Sequence, residues 1–295
     1  MLKRFLLPRW VIRHDMQGID RKKLSDTKIG LVPLELKPII DGLKQFQQDN
    51  PVVSIVIPAY NEEADLLKTL SSLSKLKPKY PTELIVANNN STDGTQDILD
   101  FCGVKSVYEK RQGISYARQA GLEAAKGTYI LSADADSIYP DKWGNRFIDV
   151  LMSRPDIACV YGRYSFVPYN RSRLTRIGLA IHEIMAEIAF SLRSKDNECV
   201  NVMGFNFAYR RADGLSVGGF KHDLNRKVTL RSEDGWMALE LSQLGKVQLV
   251  STNQRVWTSD RRLLNDGNLL MAFTKRIVRY VRNYFQQPVL ADGSK

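Results

Sequence analysis

Two pairs of carboxylates have a spacing that could do chemistry. The stretch LSADADSIYP (131–140) sets Asp134 and Asp136 one residue apart, just after a short apolar run. In an extended or turn conformation, side chains at i and i+2 point the same way. Two carboxylates held so repel unless a cation sits between them. A hard divalent ion such as Mg2+ or Mn2+ takes oxygen ligands, often a carboxylate or two completed by substrate phosphates. Asp-Ala-Asp at a strand end therefore suits a metal–diphosphate site, although the bare tripeptide also describes a solvated turn. Further on, RSEDGWMALEL (231–241) places Glu233 and Asp234 at a helix start. The helix dipole favours an ionised carboxylate there, a setting for a general base, and also the pattern of plain helix-start acids.

The elements around these residues narrow the choice. VVSIVIP (52–58) is a continuous β-branched run, as in a buried parallel strand. NEEADLLKTLSSLSKL (61–76) repeats Leu66, Leu67, Leu70, Leu73 and Leu76 at helical spacing, with its acids expected in the first turn. TELIVANNN (82–90) reads as a second buried strand. In STDGTQDILDF (91–101), Ser91 or Thr92 can cap a helix with Asp93 in its first turn. VKSVYEK (104–110) is a third, weaker strand. GISYARQAGLEAAKG (113–127) is a helix ended by a C-cap Gly127, and TYILSAD (128–134) a fourth strand. Such alternation predicts an open α/β sheet, which binds ligands at the carboxyl ends of its strands. Tyr60/Asn61, Asn88/Asn89 and Asp134/Asp136 all fall at such ends.

The second half is less regular. DKWGNRFIDVLMSRP (141–155) reads as a helix, IACVYGRYSFVP (157–168) as a strand, and SRLTRIGLAIHEIMAEIAFSLRS (172–194) as a long amphipathic helix. SEDGWMALELSQLG (232–245) reads as a capped helix, KVQLVSTNQRVWTSD (246–260) as one or two strands, and LLMAFTKRIVRYVRNYF (269–285) as a basic amphipathic helix.

IVIPAYNEEADLLKTLSSL, ELIVANNNSTDGTQDIL, GISYARQAGLEAAKGTYILSADAD and SEDGWMALEL follow one another in this order. Together they resemble the family-2 glycosyltransferases, enzymes of GT-A fold that use nucleotide-sugar donors. The resemblance covers about residues 51–262, leaving a leader arm (1–50) and a C-terminal basic segment (263–295). It implies an α/β, Rossmann-like, single domain with an open, mostly parallel sheet flanked by helices. It also implies an inverting, non-processive enzyme that adds one sugar to a glycan or lipid-linked acceptor from a UDP- or GDP-sugar, with Mn2+ or Mg2+.

Carried over residue by residue, the nucleoside would meet Pro58, Ala59, Tyr60, Asn61 and Glu62. Asn88 stands where the family usually has an aspartate that accepts from the base. Its amide oxygen can still accept one hydrogen bond, but the charge is gone. Arg118 would buttress the D-x-D turn, Asp134 face ribose or sugar, and Asp136 ligate the metal. Gly204 and Asn206 would touch the donor sugar, and Arg261 and Arg262 clamp the diphosphate. Asp234 would be the base that takes the acceptor proton, with Glu233 orienting the acceptor or bracing the loop. QRVW (254–257) only partly resembles the Q-x-x-R-W of processive synthases. His222 reads as a solvated loop residue.

Bulk composition agrees with a folded protein. The chain has 295 residues, 43% of them apolar, and a net charge of +11. That balance suits phosphate-bearing substrates or an anionic membrane surface, and with Lys and Arg spread along the chain and no zinc-finger spacing, nucleic acid is set aside. Cys102, Cys159 and Cys199 lack metal-ligand spacing and read as buried free thiols of a reducing cytosol. No apolar run reaches 18 residues. Leu2, Phe5, Leu6, Trp10, Val11 and Ile12 interleave with Lys3, Arg4, Arg9 and Arg13, which suits either a peripheral contact with the inner face of a membrane or an arm packed on the protein. Two other functions are weighed against transfer. A nucleotidyltransferase needs a Gly-rich basic phosphate loop, where PAYNEEADL is acidic. Against a non-catalytic glycan-binding or scaffold protein with a decayed site stand the intact Asp134, Asp136, Glu233 and Asp234, while Asn88 leaves room for it.

Overall fold

The structure, a computed structural model, describes residues 11, 36–167, 179, 183, 198–199, 201–220, 232–250 and 255–259. The chain divides into two compact units. One comprises Met1–Phe5, Phe166–Asn197 and Ser259–Lys295; the larger, Leu6–Ser165 with Glu198–Thr258, is an α/β domain that holds the main sheet. The long helix expected at 172–194 falls almost entirely outside the described residues, as do the C-terminal helix, Arg261, Arg262 and His222.

In chain order the elements are α1 (Lys37–Leu43), a 3-10 turn (Lys44–Phe46), β1 (Val53–Ala59), α2 (Leu66–Leu73), β2 (Thr82–Asn88), α3 (Thr95–Cys102), β3 (Lys105–Tyr108), α4 (Ile114–Ala124) and β4 (Tyr129–Ser132). There follow β5 (Ser137–Ile138), α5 (Asn145–Ser153), β6 (Ile157–Tyr161), β7 (Tyr164–Val167), β8 (Phe207–Arg210), α6 (Arg211–Ser216), α7 (Glu233–Leu241), β9 (Lys246–Leu249) and β10 (Val256–Ser259). The seven-stranded sheet has the order β3-β2-β1-β4-β8-β6-β9, and a small second sheet the order β5-β10-β7. In the large sheet β3, β2, β1 and β4 are mutually parallel, β9 is parallel to β6, and β8 alone runs against its neighbours. The expected open, mostly parallel sheet is thus found.

Both faces of β1 are covered, which is why its sequence is apolar without alternation. Val53, Ile55 and Ile57 join the cluster that holds Ile39, Leu43, Leu66, Leu70, Leu73, Phe147 and Ile148. Val56 faces the other way, toward α4, where a Cβ on Gly121 would come within 2.3 Å of its Cγ1. Leu66, Leu70 and Leu73 are fully buried, each worth about 1.5–3 kcal/mol of removal from water.

Several local expectations need correction. The acids Glu62, Glu63 and Asp65 precede α2 rather than filling its first turn, because the chain first makes a tight corner at Asn61 (φ 52°). Neither Ser91 nor Thr92 caps α3. Its N-cap is Gly94, while Asp93 accepts from the Thr95 amide at 3.0 Å. Gly127 is not a helix C-cap, since α4 ends at Ala124; a Cβ there would lie 2.6 Å from the Ser54 nitrogen, so glycine is needed for the close pass under β1. IACVYGRYSFVP forms two strands in two sheets, broken at Gly162 and Arg163.

The three cysteines are buried free thiols, as expected. Among the described residues, no helix is long and apolar enough to cross a membrane. Of the basic–apolar arm only Val11 lies among the described residues, and it is buried.

Candidate active site

The site is assembled at the carboxyl ends of β1, β2 and β4. After β1, Tyr60 stands out with 49% exposure, a free aromatic face rather than a core ring. Pro58 and Ala59 belong to β1 and are buried, and Glu62 is buried with its amide on Thr95 Oγ1 (2.9 Å). The loops after β1 and β2 clasp each other. Asn61 Oδ1 accepts the Thr92 amide (2.8 Å), Glu63 Oε2 accepts the Gly94 amide (3.2 Å), and the Glu63 amide donates to Asp93 Oδ2 (3.1 Å). Asn61 and Asn90 both take left-handed backbone angles (φ 52° and 58°), which asparagine tolerates better than most residues.

Asn88 ends β2 at 2% exposure. Its Oδ1 accepts the Ser91 amide (3.0 Å) and its Nδ2 donates to Gln96 Oε1 (2.8 Å). The Gln96 nitrogen is committed to Asp100 (2.7 Å) and Ser106 (3.1 Å), so Gln96 offers residue 88 an acceptor. An amide can meet that acceptor and a carboxylate cannot. The asparagine is therefore matched to its own loop, and its oxygen already has a partner.

Beyond β4 the chain turns through Asp134-Ala135-Asp136. Thr69 on α2 fixes this turn, its hydroxyl lying 2.7 Å from the Ala135 carbonyl and 3.1 Å from the Ser137 amide that donates to it. Asp134 is buried and Asp136 half-buried, with the hydroxyls of Ser137 and Thr258 at 3.4 and 3.5 Å.

Arg118 organises the centre from α4. At 2% exposure its Nη2 bonds Asp134 Oδ1 (2.7 Å), and its Nη1 bonds Ser132 Oγ (2.8 Å) and the Gly204 carbonyl (3.1 Å). Its Nε lies 3.8 Å from Glu233 Oε1. Burial works against the charge, but Asp134, Glu233 and Asp234 outweigh it and hold the guanidinium above its ordinary pKa. Phe220 lies beside it, with Cζ 6.0 Å from the ring centre.

Glu233 and Asp234 are both buried in the first turn of α7. Asp234 accepts from the amides of Gly204 (2.5 Å) and Gly235 (2.8 Å) and from the Ser232 hydroxyl. Burial, and then the adjacent Glu233 charge, raise its pKa above the ordinary carboxylate value, opposed by Arg118, Ser232 and Gly235. A raised carboxylate is a stronger base than a solvated one, as general-base chemistry asks.

The structure therefore brings together Arg118, Asp134, Glu233, Asp234 and Gly204. Asn206 is not joined to them: its Oδ1 accepts from Trp143 Nε1 (2.9 Å) and its Nδ2 donates to the Arg163 carbonyl (2.9 Å). Ser132, Tyr139, Ser232 and Thr258 were not anticipated. Their types carry no signal until the chain is folded. Asp134 is committed to Arg118, so a divalent ion at the turn could draw Asp136 as its protein ligand. Among the described residues no group of three or more His, Cys, Asp or Glu forms a metal cage. One carboxylate completed by phosphate oxygens is a donor set that Mg2+ or Mn2+ accepts, so these residues fit an ion shared with a bound diphosphate.

The family model described as "Glycosyl transferase family 2" matches residues 54–213, more than half of the chain. The sequence is 31% identical over 189 residues to "Probable glycosyltransferase YdaM" of Bacillus subtilis (strain 168), covering 60% of this chain and 44% of that protein. The chain spans less than half the length of the curated relatives it matches. Among solved structures, TarS 1–349 of S. aureus in complex with UDP is similar at TM-score 0.54 and 15% identity, covering 80% of this chain and 72% of that one. GalNAc-T7 with UDP, GalNAc and Mn2+ is similar at TM-score 0.52 and 18% identity, covering 78% and 53%. At such identities the likeness is one of fold.

Proposed function

Because the chain belongs to glycosyl transferase family 2 and has the GT-A fold, we propose that it transfers one sugar from a nucleoside-diphosphate sugar to an acceptor hydroxyl, with inversion at the anomeric carbon. The observation that carries this reading is the buried guanidinium of Arg118, which ties the Asp134 turn to the Glu233–Asp234 helix start. A donor half and a base half are thereby held as one unit. TarS and GalNAc-T7 were solved with UDP, and GalNAc-T7 with Mn2+, which supports a nucleotide-sugar donor and a divalent ion.

In this reading the exposed ring of Tyr60 stacks on the base, and the clasped loops after β1 and β2 form the nucleoside wall. Asp134, held by Arg118, faces the ribose or the sugar, and Asp136 faces the diphosphate. A divalent ion bound there supplies Lewis-acid stabilisation of the leaving diphosphate. Asp234 takes the proton from the acceptor hydroxyl as that oxygen attacks, while Glu233 orients the acceptor. Gly204 keeps the floor open, because any side chain there would meet both Arg118 and Asp234. Asn206 braces this floor from below rather than touching sugar. Arg261 and Arg262 remain the proposed diphosphate clamp. The acceptor is a glycan or a lipid-linked glycan, reached from the cytosolic side by peripheral membrane contact; equal sedimentation with anionic and neutral vesicles would contradict that contact.

Asp234→Asn tests the assignment. Transfer should be lost while donor binding by calorimetry stays within a few-fold of wild type; surviving transfer would show that another group is the base.

A further inference from the structure

Tyr139 is used by none of the steps above, yet it sits at their junction. It is 1% exposed. Its hydroxyl accepts the backbone amide of Asp134 (2.9 Å) and has two carbonyl oxygens in reach of its one hydrogen, Phe205 at 3.2 Å and Asp134 at 3.4 Å. The closer of the two, Phe205, makes the hydroxyl a bridge between the turn and the 204–206 segment. The ring packs 4.2 Å, centre to centre, from Trp143, whose Nε1 donates to Asn206 Oδ1. Two side chains that follow the Asp134–Asp136 turn thus grip consecutive residues, Phe205 and Asn206. The residue before them, Gly204, gives its amide to Asp234 and takes Arg118 on its carbonyl.

We propose that Tyr139 is a positioning residue, whose hydroxyl sets the spacing between the Asp134–Asp136 turn and the 204–206 segment that holds Asp234. Plain core filling does not explain the hydroxyl: a phenylalanine would fill the same space beside Trp143 without placing a buried polar group between two backbone groups. The bridge lies between donor-holding and proton-accepting parts, where a shift on the order of 1 Å can cost about 100-fold in rate. The inference rests on the transfer reading of the site.

Tyr139→Phe tests it, with Ser72→Ala as the comparison. Ser72 Oγ accepts the backbone amide of Tyr139 (3.1 Å) and donates to the Thr69 carbonyl (2.7 Å), so its loss removes two buried hydrogen bonds, one of them from the same residue, and leaves the hydroxyl bridge intact. Nucleoside diphosphate release is followed with UDP-glucose, UDP-N-acetylglucosamine and GDP-mannose in Mn2+, water serving as acceptor: the sugar passes to water, the diphosphate leaves, and the proton goes to Asp234. Tyr139→Phe should lower kcat about 10- to 100-fold, with donor KM within threefold and a melting temperature like that of Ser72→Ala, which should keep wild-type kcat. Wild-type kcat in Tyr139→Phe, or an equal kcat loss in both variants, overturns the inference and leaves the transfer reading standing. Should Tyr139→Phe not fold, Trp143→Phe takes its place: an unchanged kcat overturns the inference and a tenfold fall supports it. No wild-type turnover on any donor overturns the transfer reading, and this inference with it.

Discussion

Gly204 and Arg118 meet so closely that a Cβ added to the glycine would lie 2.1 Å from Nη2 of the arginine. The glycine is required here by proximity, not by an unusual backbone angle. Gly204→Ala should displace the guanidinium from Asp134 and lower turnover about 100-fold through misplacement. Steady-state kinetics with a melting curve separates that outcome from simple unfolding.

Arg118 neutralises a buried set of carboxylates. Arg118→Met leaves Asp134, Glu233 and Asp234 without their shared cation, and breaking such a pair by removing one partner costs about 3–5 kcal/mol. Urea unfolding should show the loss at neutral pH. Its midpoint should recover partly as the pH is lowered and the carboxylates take up protons.

With Asp234 as the proposed base, the pH dependence of turnover follows from its carboxyl. Its pKa is raised by burial and by Glu233, and the base works only when deprotonated. Activity should fall as pH drops through a value above the ordinary aspartate range of about 3.9. Glu233→Gln removes a charge that raises this pKa, so the acidic limb should move to lower pH. The linked stability has the opposite sense. A carboxyl with a raised folded pKa contributes most below its unfolded value, and that contribution is lost as pH rises through the folded one.

Tyr60 is read as the stacking surface for the base. Tyr60→Ala should weaken nucleotide binding about 5- to 150-fold, the range of one base–aromatic stack at about 1–3 kcal/mol. Because the ring is half-exposed, the melting temperature of the free protein should barely move. Calorimetry with the preferred nucleoside diphosphate checks both points.

The strands were legible in sequence because β1 and β2 are buried on both faces and carry apolar stretches without alternation, residues 55–59 and 84–87. Asp134, Glu233 and Asp234 were legible because acids at a strand end and at a helix start have a recognisable local setting. Arg118 became the centre only through the fold, since its partners Asp134, Gly204 and Glu233 are scattered along the sequence. Asn88 reads in sequence as the loss of a charged contact; the fold adds that its amide is paired with Gln96 and Ser91. Asn206 belongs to the brace around Trp143, a partnership between side chains far apart in sequence that no local pattern announces. The corner at Asn61 displaced the start of α2, because three acids before a leucine repeat look alike whether they open the helix or precede it.

The most direct test of the account is a thermal-shift panel of UDP, GDP, CDP and dTDP, each with and without Mn2+, on wild type and Asp136→Asn. At least one nucleotide should raise the wild-type melting temperature in Mn2+ by several degrees, as binding to the folded state alone requires, and that rise should vanish in Asp136→Asn. No metal-dependent stabilisation by any of the four, or an undiminished shift in Asp136→Asn, would contradict it.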